Sequence, residues 1–153
     1  MVDPVFFDTN VLVSGLLSIG SAGDSSQELL WAVAEGGIPR PVTAWHCCLE
    51  FYAVSTRLPV EMRLEPEVAA DLLTTEILDR FLVLDLPPEQ RSGFVRGLEA
   101  ARISGGRVYD HHIAATAQAA GVAVIVTNNR RHFQDLAATG IRVLTAEEAA
   151  QEI

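Results

Sequence analysis

Apolar and polar positions change period several times along the chain, from strand-like runs to helix-like spacing and back. Val5-Phe6-Phe7 is a short apolar run that breaks on Asp8, after which apolar residues return at 11, 12, 13, 16 and 17. The run predicts a buried strand, and the spacing after it predicts one face of a helix. Asp8 falls at the join. It is placed either to cap the helix or to face a ligand at the carboxyl edge of a sheet. Beyond a Gly/Ser-rich loop, Ser25 or Ser26 is placed to cap a helix to about residue 35, with Leu29, Leu30 and Val33 inward. Residues 38–42 read as a short strand that Pro39 and Pro41 push toward an edge or an irregular start.

Thr43 is then expected to cap a helix to about residue 56. Trp45, Cys47, Cys48, Leu49, Phe51, Tyr52 and Val54 make that helix apolar nearly all round, the pattern of a buried helix. Its exceptions, His46, Glu50 and Arg57, share a stripe. A buried carboxylate needs a positive partner. Glu50 therefore either meets His46 or Arg57, or lines a cavity that holds a cation.

Further on, the pattern gives a helix over 66–80, a strand over 81–86, a helix from Pro87-Pro88 to about 103, and a helix over 110–120 that opens on Asp110. Residues 122–126 are the most strand-like run, and they break at Thr127-Asn128-Asn129. A short helix opens at Arg130, 141–144 form a last strand, and Thr145 caps the terminal helix. This alternation predicts an α/β fold, a three-layer α/β/α sandwich around a parallel sheet of four or five strands.

Composition narrows the class. The 153 residues suit one domain, and 49% hydrophobic with 20% charged residues excludes a disordered or fibrous chain. No basic leader follows Met1, and no apolar run approaches the roughly 18 residues of a membrane span. A soluble, cytoplasmic protein is expected. Cys47 and Cys48 are adjacent, a poor geometry for a structural disulfide, and read as small buried thiols. Net charge is −9 and every basic residue is Arg. That balance argues against binding nucleic acid by bulk electrostatics. It leaves room for an enzyme that meets phosphate through a cation and a few local arginines.

Asp8, Asp110 and Asn129 fall where a parallel sheet gathers polar residues, and Glu50 joins them as the acid of an apolar helix. Two carboxylates roughly 5 Å apart at an effective dielectric near 20 oppose each other by about 3 kcal/mol. A proton, an Arg or a metal ion relieves this, and an all-oxygen donor set selects Mg²⁺ or Mn²⁺.

"FFDTNVLVSGLL", the Glu of "CCLEFYAVSTRLP", "VYDHHIAATAQAAGVAVIVTNNRRHF" and "IRVLTAEEA" together resemble a PIN domain of the VapC type, over nearly the whole chain. The resemblance implies a single PIN domain over 1–153 and a metal-dependent endoribonuclease, commonly the toxin of a type II toxin–antitoxin pair. It also implies an RNA substrate, a cognate antitoxin and a homodimer. Asp8, Glu50 and Asp110 match the family's acidic positions, and Asn10, Thr127 and Asn129 its supporting polar ones. Many relatives carry a fourth acid where this chain has Asn129, which coordinates or hydrogen-bonds without charge. By the same resemblance Asp8 and Asp110 would hold Mg²⁺ or Mn²⁺, Glu50 would complete the shell or orient water, and Asn129 would fix a carboxylate. The products would carry a 5′-phosphate and a 3′-hydroxyl. Thr9 and Thr127 are candidate donors around the acids, and Arg57, Arg130 and Arg131 candidate substrate contacts. His111 and His112 are read as packed or exposed, and Trp31 and Trp45 as core or interface.

Two other classes stay open. One is a PIN-fold module that binds RNA or a protein without cutting it. The other is phosphotransfer of the dehalogenase or receiver type, which this chain's Asn10 and lack of Lys disfavour.

Overall fold

In the computed structural model, which describes residues 3–153, five strands form one parallel sheet. Residues 1 and 2 of the expected 1–153 domain lie outside the described residues. The strands are β1 (Val5–Phe7), β2 (Pro41–Ala44), β3 (Leu82–Leu84), β4 (Val124–Val126) and β5 (Arg142–Leu144), in the order β3-β2-β1-β4-β5. The helices are α1 (Thr9–Leu17), α2 (Gly23–Ala34), α3 (Trp45–Ser55), α4 (Pro66–Leu72), α5 (Arg91–Ala100), α6 (Arg107–Ala119) and α7 (Ala146–Ala150). The parallel α/β sandwich expected from the alternation is what the chain forms.

Strand order reverses at β1. The chain builds outward through β2 and β3, then returns to lay β4 on the other side of β1. A crevice opens at such a reversal, beyond the carboxyl ends of the two strands. Phe6, Phe7, Ile125 and Val126 are fully buried beneath it, and Phe7 meets Phe81 edge-on at 5.2 Å between ring centroids. The floor of the crevice is therefore solid core.

Several local expectations change. Thr43 lies inside β2, where its Oγ1 donates to the Phe7 carbonyl at 2.8 Å, and α3 begins after Ala44 without a side-chain cap. Ser26 is likewise no cap. It is buried within α2, bonded Oγ to Oγ with Ser14 at 2.8 Å. Helix 66–80 splits into α4 and a π-helical stretch, Leu73–Leu78, and α6 starts three residues before Asp110. The segment Arg130–Thr139 is 3₁₀ and kinked at Phe133. Helix α3 is not buried all round: Cys47, Cys48 and Phe51 face the core, while Trp45, Leu49 and Tyr52 are exposed.

α1 and α2 pack closely. A β-carbon on Gly15 would stand 2.6 Å from Leu30 Cδ1 and 2.8 Å from the Ser26 carbonyl oxygen, so only glycine fits there. Thr145 closes a capping box with Glu148 at the head of α7. Among the described residues, no helix is long and apolar enough to cross a membrane.

Candidate active site

Asp8 is both the cap and the centre. Its Oδ1 accepts the Thr9 amide at 2.8 Å, an N-cap on α1, while Oδ2 accepts Thr127 Oγ1 at 2.8 Å from across the strand reversal. The backbone fixes the same pairing, since the Asp8 amide donates to the Val126 carbonyl at 3.0 Å. Asn10 ties the two loops together. Its Nδ2 sits 3.4 Å from both Asp8 Oδ2 and Thr127 Oγ1, and its Oδ1 accepts the Asn128 amide at 3.0 Å.

Asp8 is 6% exposed. Burial pushes its carboxyl from an ordinary 3.8 up to about 6; the bonds from Thr127 and Thr9 hold it back, and the charges of Glu50 and Asp110 add to the rise. Asp8 thus feels both of the other acids. None of them has an arginine partner among the described residues.

Two histidines take that place. His46 Nε2 lies 3.1 Å from Glu50 Oε2, and His132 Nδ1 lies 3.0 Å from Asp110 Oδ2. The first pair is one of the contacts weighed from the α3 stripe. The second joins α6 to the 3₁₀ segment, and nothing in the sequence signals it. Tyr109 stacks on His46 at 5.0 Å, and His112 meets the same ring edge-on at 6.1 Å. Burial lowers the His112 pKa and the His46 neighbour adds to this, while Asp85 at 3.8 Å works against it. His112 is therefore packed in an aromatic cluster, and His111, also half-buried, lines a cavity described below.

The other candidates are placed as follows. Thr127 is central to the network. Thr9 contributes its amide, and its buried hydroxyl has no hydrogen-bond partner among the described residues. Asn129 is exposed and enters through its backbone, whose amide donates to Thr127 Oγ1 at 3.1 Å. Its neighbour Asn128 does more with its side chain, accepting the Ala146 amide at 3.3 Å. Arg130 is tied to Glu148. Arg57, at the end of α3, and Arg131 pair with no carboxylate among the described residues. The Cys47 and Cys48 thiols are buried and free, and burial raises their pKa values to about 12 and about 11. They are inert at neutral pH.

The carboxylates of Asp8, Glu50 and Asp110 are all-oxygen donors of the kind a hard divalent cation takes, and none pairs with an arginine among the described residues. No three His, Cys, Asp or Glu side chains among the described residues close into a ready-made cage. A cavity of about 330 Å³ opens beside Asp110, walled by Phe94, Leu98, His111, Ala114 and Leu136.

The PIN domain family matches residues 5–139. The chain belongs to that family. A Mycobacterium tuberculosis relative, Ribonuclease VapC27, is 31% identical over 146 residues, which span 95% of this chain and 99% of the relative. Solved structures share the PIN fold at lower identity. VapBC-1 from nontypeable Haemophilus influenzae superposes with a TM-score of 0.59 at 18% identity, over 96% of this chain and 99% of that one. FitAcB from Neisseria gonorrhoeae gives 0.60 at 17%, over 94% and 98%. In this PIN domain the Asp8–Thr127 pair therefore lies at the reversal of a family fold.

Proposed function

We propose that this PIN domain, 1–153, is a cytoplasmic, Mg²⁺- or Mn²⁺-dependent endoribonuclease and the toxin of a type II toxin–antitoxin pair. The observation that carries the reading is Asp8: a buried carboxyl at the strand reversal, pushed up to about 6 by burial with the charges of Glu50 and Asp110 adding to the rise, and with no arginine partner among the described residues. Keeping such a group ionised is costly, and carboxyls perturbed in this way cluster at functional sites. Kinship with a ribonuclease at 31% identity supports the reaction class.

Asp8 and Asp110 would hold the ion, directly or through water, and Glu50 would complete its surroundings or orient the attacking water. Bound there, the ion supplies charge neutralisation at the phosphate and makes a neighbouring water more acidic. The Thr127 hydroxyl and Thr9 amide keep Asp8 ionised and aimed. His46 holds Glu50 in one rotamer, and His132 does the same for Asp110. Water adds to the phosphorus of an RNA phosphodiester, the bond to the 3′-oxygen breaks, and that oxygen takes a proton. The products are a 5′-phosphate and a 3′-hydroxyl.

The protein partners in this reading are a cognate antitoxin and a second copy of the chain. Trp31 on α2 and Val68 on α4 are exposed at 62% and 46%.

Cleavage of RNA that requires Mg²⁺ or Mn²⁺, stops with chelator and is lost in Asp8→Ala supports the proposal. Metal-dependent cleavage unchanged in Asp8→Ala contradicts it. The exposed Asn129, engaged through its backbone alone, favours one second reading: a PIN module that binds RNA without turnover. Tight, metal-independent RNA binding with no cleavage at either metal selects it.

A further inference from the structure

Two arginines line a cleft beside Asp110 without pairing with a carboxylate among the described residues. Arg107 opens α6 one turn before Asp110, and Arg131 precedes His132, the residue that holds Asp110. With Asp110, His111, His132 and Asp135 they line a cleft of about 160 Å³ whose wall is the catalytic candidate itself. Both guanidinium groups are exposed, and among the described residues neither pairs with a carboxylate, although Asp110 and Asp135 line the same cleft. Four other arginines, at 80, 96, 130 and 142, do find carboxylates.

Two unpaired cations from different elements, converging on a concave polar site in a protein of net charge −9, are an arrangement for an anion. Guanidinium groups offer planar, forked donors that match the oxygens of a phosphodiester. The scissile phosphate would lie among Asp8, Glu50 and Asp110, so an anion in the cleft lies beside it along the strand.

We propose that Arg107 and Arg131 clamp the phosphodiester flanking the scissile one, which gives the enzyme its grip on the RNA strand. The inference rests on the ribonuclease reading and extends it to how the substrate is held. It also explains how an acidic protein binds a polyanion: the attraction is local and confined to one cleft. The larger cavity beside it shares Asp110, His111, His132 and Asp135 and leaves room for the attached nucleoside.

The test uses the full chain, a fluorescent single-stranded RNA decamer and a dinucleoside monophosphate, which has no flanking phosphate. Arg107→Gln and Arg131→Gln should each weaken decamer binding about tenfold and lower the slope of log affinity against log salt by about 0.7 per arginine. The loss should appear in KM rather than kcat, and cleavage of the dinucleoside monophosphate should not change. Arg107→Lys should restore part of the affinity. Arg96→Gln, on the α5 arginine already paired with Glu99 and outside the cleft lining, controls for net charge. Decamer binding and salt slope unchanged in both variants, with wild-type cleavage intact, overturn the clamp and leave the ribonuclease reading standing. Arginine-dependent binding without cleavage supports the clamp and removes the hydrolytic reading. Equal loss with the dinucleoside monophosphate also overturns the clamp, because the arginines would then act at the scissile phosphate.

Discussion

Thr127 Oγ1 donates to Asp8 Oδ2 at 2.8 Å across 119 residues of chain. The bond joins the ends of β1 and β4 at the point where the strand order reverses. It also opposes the burial that raises Asp8. One hydroxyl thus adds a side-chain tie to the backbone pairing of β1 and β4 and favours the central carboxyl as an anion.

Thr127→Val keeps the shape and removes that donor. The Asp8 pKa should rise further, because a bond that favoured the charged form is gone. Above about pH 6, where Asp8 is ionised, the variant should be less stable by about 2 kcal/mol. Near pH 4, with Asp8 protonated in both proteins, the gap should narrow. Urea melts at the two pH values check this, and equal gaps would count against it.

Asp8→Asn gives the opposite sign. A folded pKa of about 6 against an ordinary 3.8 means that ionising Asp8 opposes folding. The wild type keeps its full stability below about pH 4 and loses it as pH rises through 6. A shift of about two units corresponds to about 3 kcal/mol. Metal-free Asp8→Asn should therefore be the more stable protein at pH 8, and the two should converge near pH 4. Parallel stability curves would show that Asp8 is not strained by burial.

Gly15→Ala probes the packing beneath the site. The new β-carbon would meet the Ser26 carbonyl at 2.8 Å, and backbone on a neighbouring helix cannot turn aside. A loss of about 2–3 kcal/mol is expected from this overpacking, measured by thermal or urea unfolding. Gly97, on α5 with open space around it, serves as the tolerant comparison.

His46→Ala separates positioning from binding. Glu50 loses its partner at 3.1 Å and Tyr109 the ring it stacks on. Under the proposed mechanism, kcat should fall about tenfold with RNA affinity nearly unchanged, and His46→Gln should recover part of the rate. A change confined to KM would place His46 in substrate binding instead.

The chain showed in advance those features that rest on local pattern. Val5-Phe6-Phe7 followed by Asp8, and the strand-like run before Thr127, mark the two strand ends without any tertiary information, because apolar runs and polar breaks are local. What pattern could not show is which side of a residue faces which neighbour. Thr43 and Ser26 look like caps, since a hydroxyl before a helix usually is one, yet one bonds across the sheet and the other across a helix pair. Trp45, Leu49 and Tyr52 look buried because their helix is apolar, but exposure is set by what packs on it. The His132–Asp110 pair spans two elements with no shared period, and Arg107 gains its meaning only from Arg131 on the far side of the cleft.

The most direct measurement is calorimetric titration of the metal-free protein with Mn²⁺, across pH 5 to 8, for wild type, Asp8→Asn and Asp110→Asn. Wild-type binding should strengthen as pH rises through about 6, where Asp8 ionises, and should be lost in both variants. Binding of equal strength in all three proteins, or none in the wild type at any pH, would contradict the claim that these acids share one divalent ion.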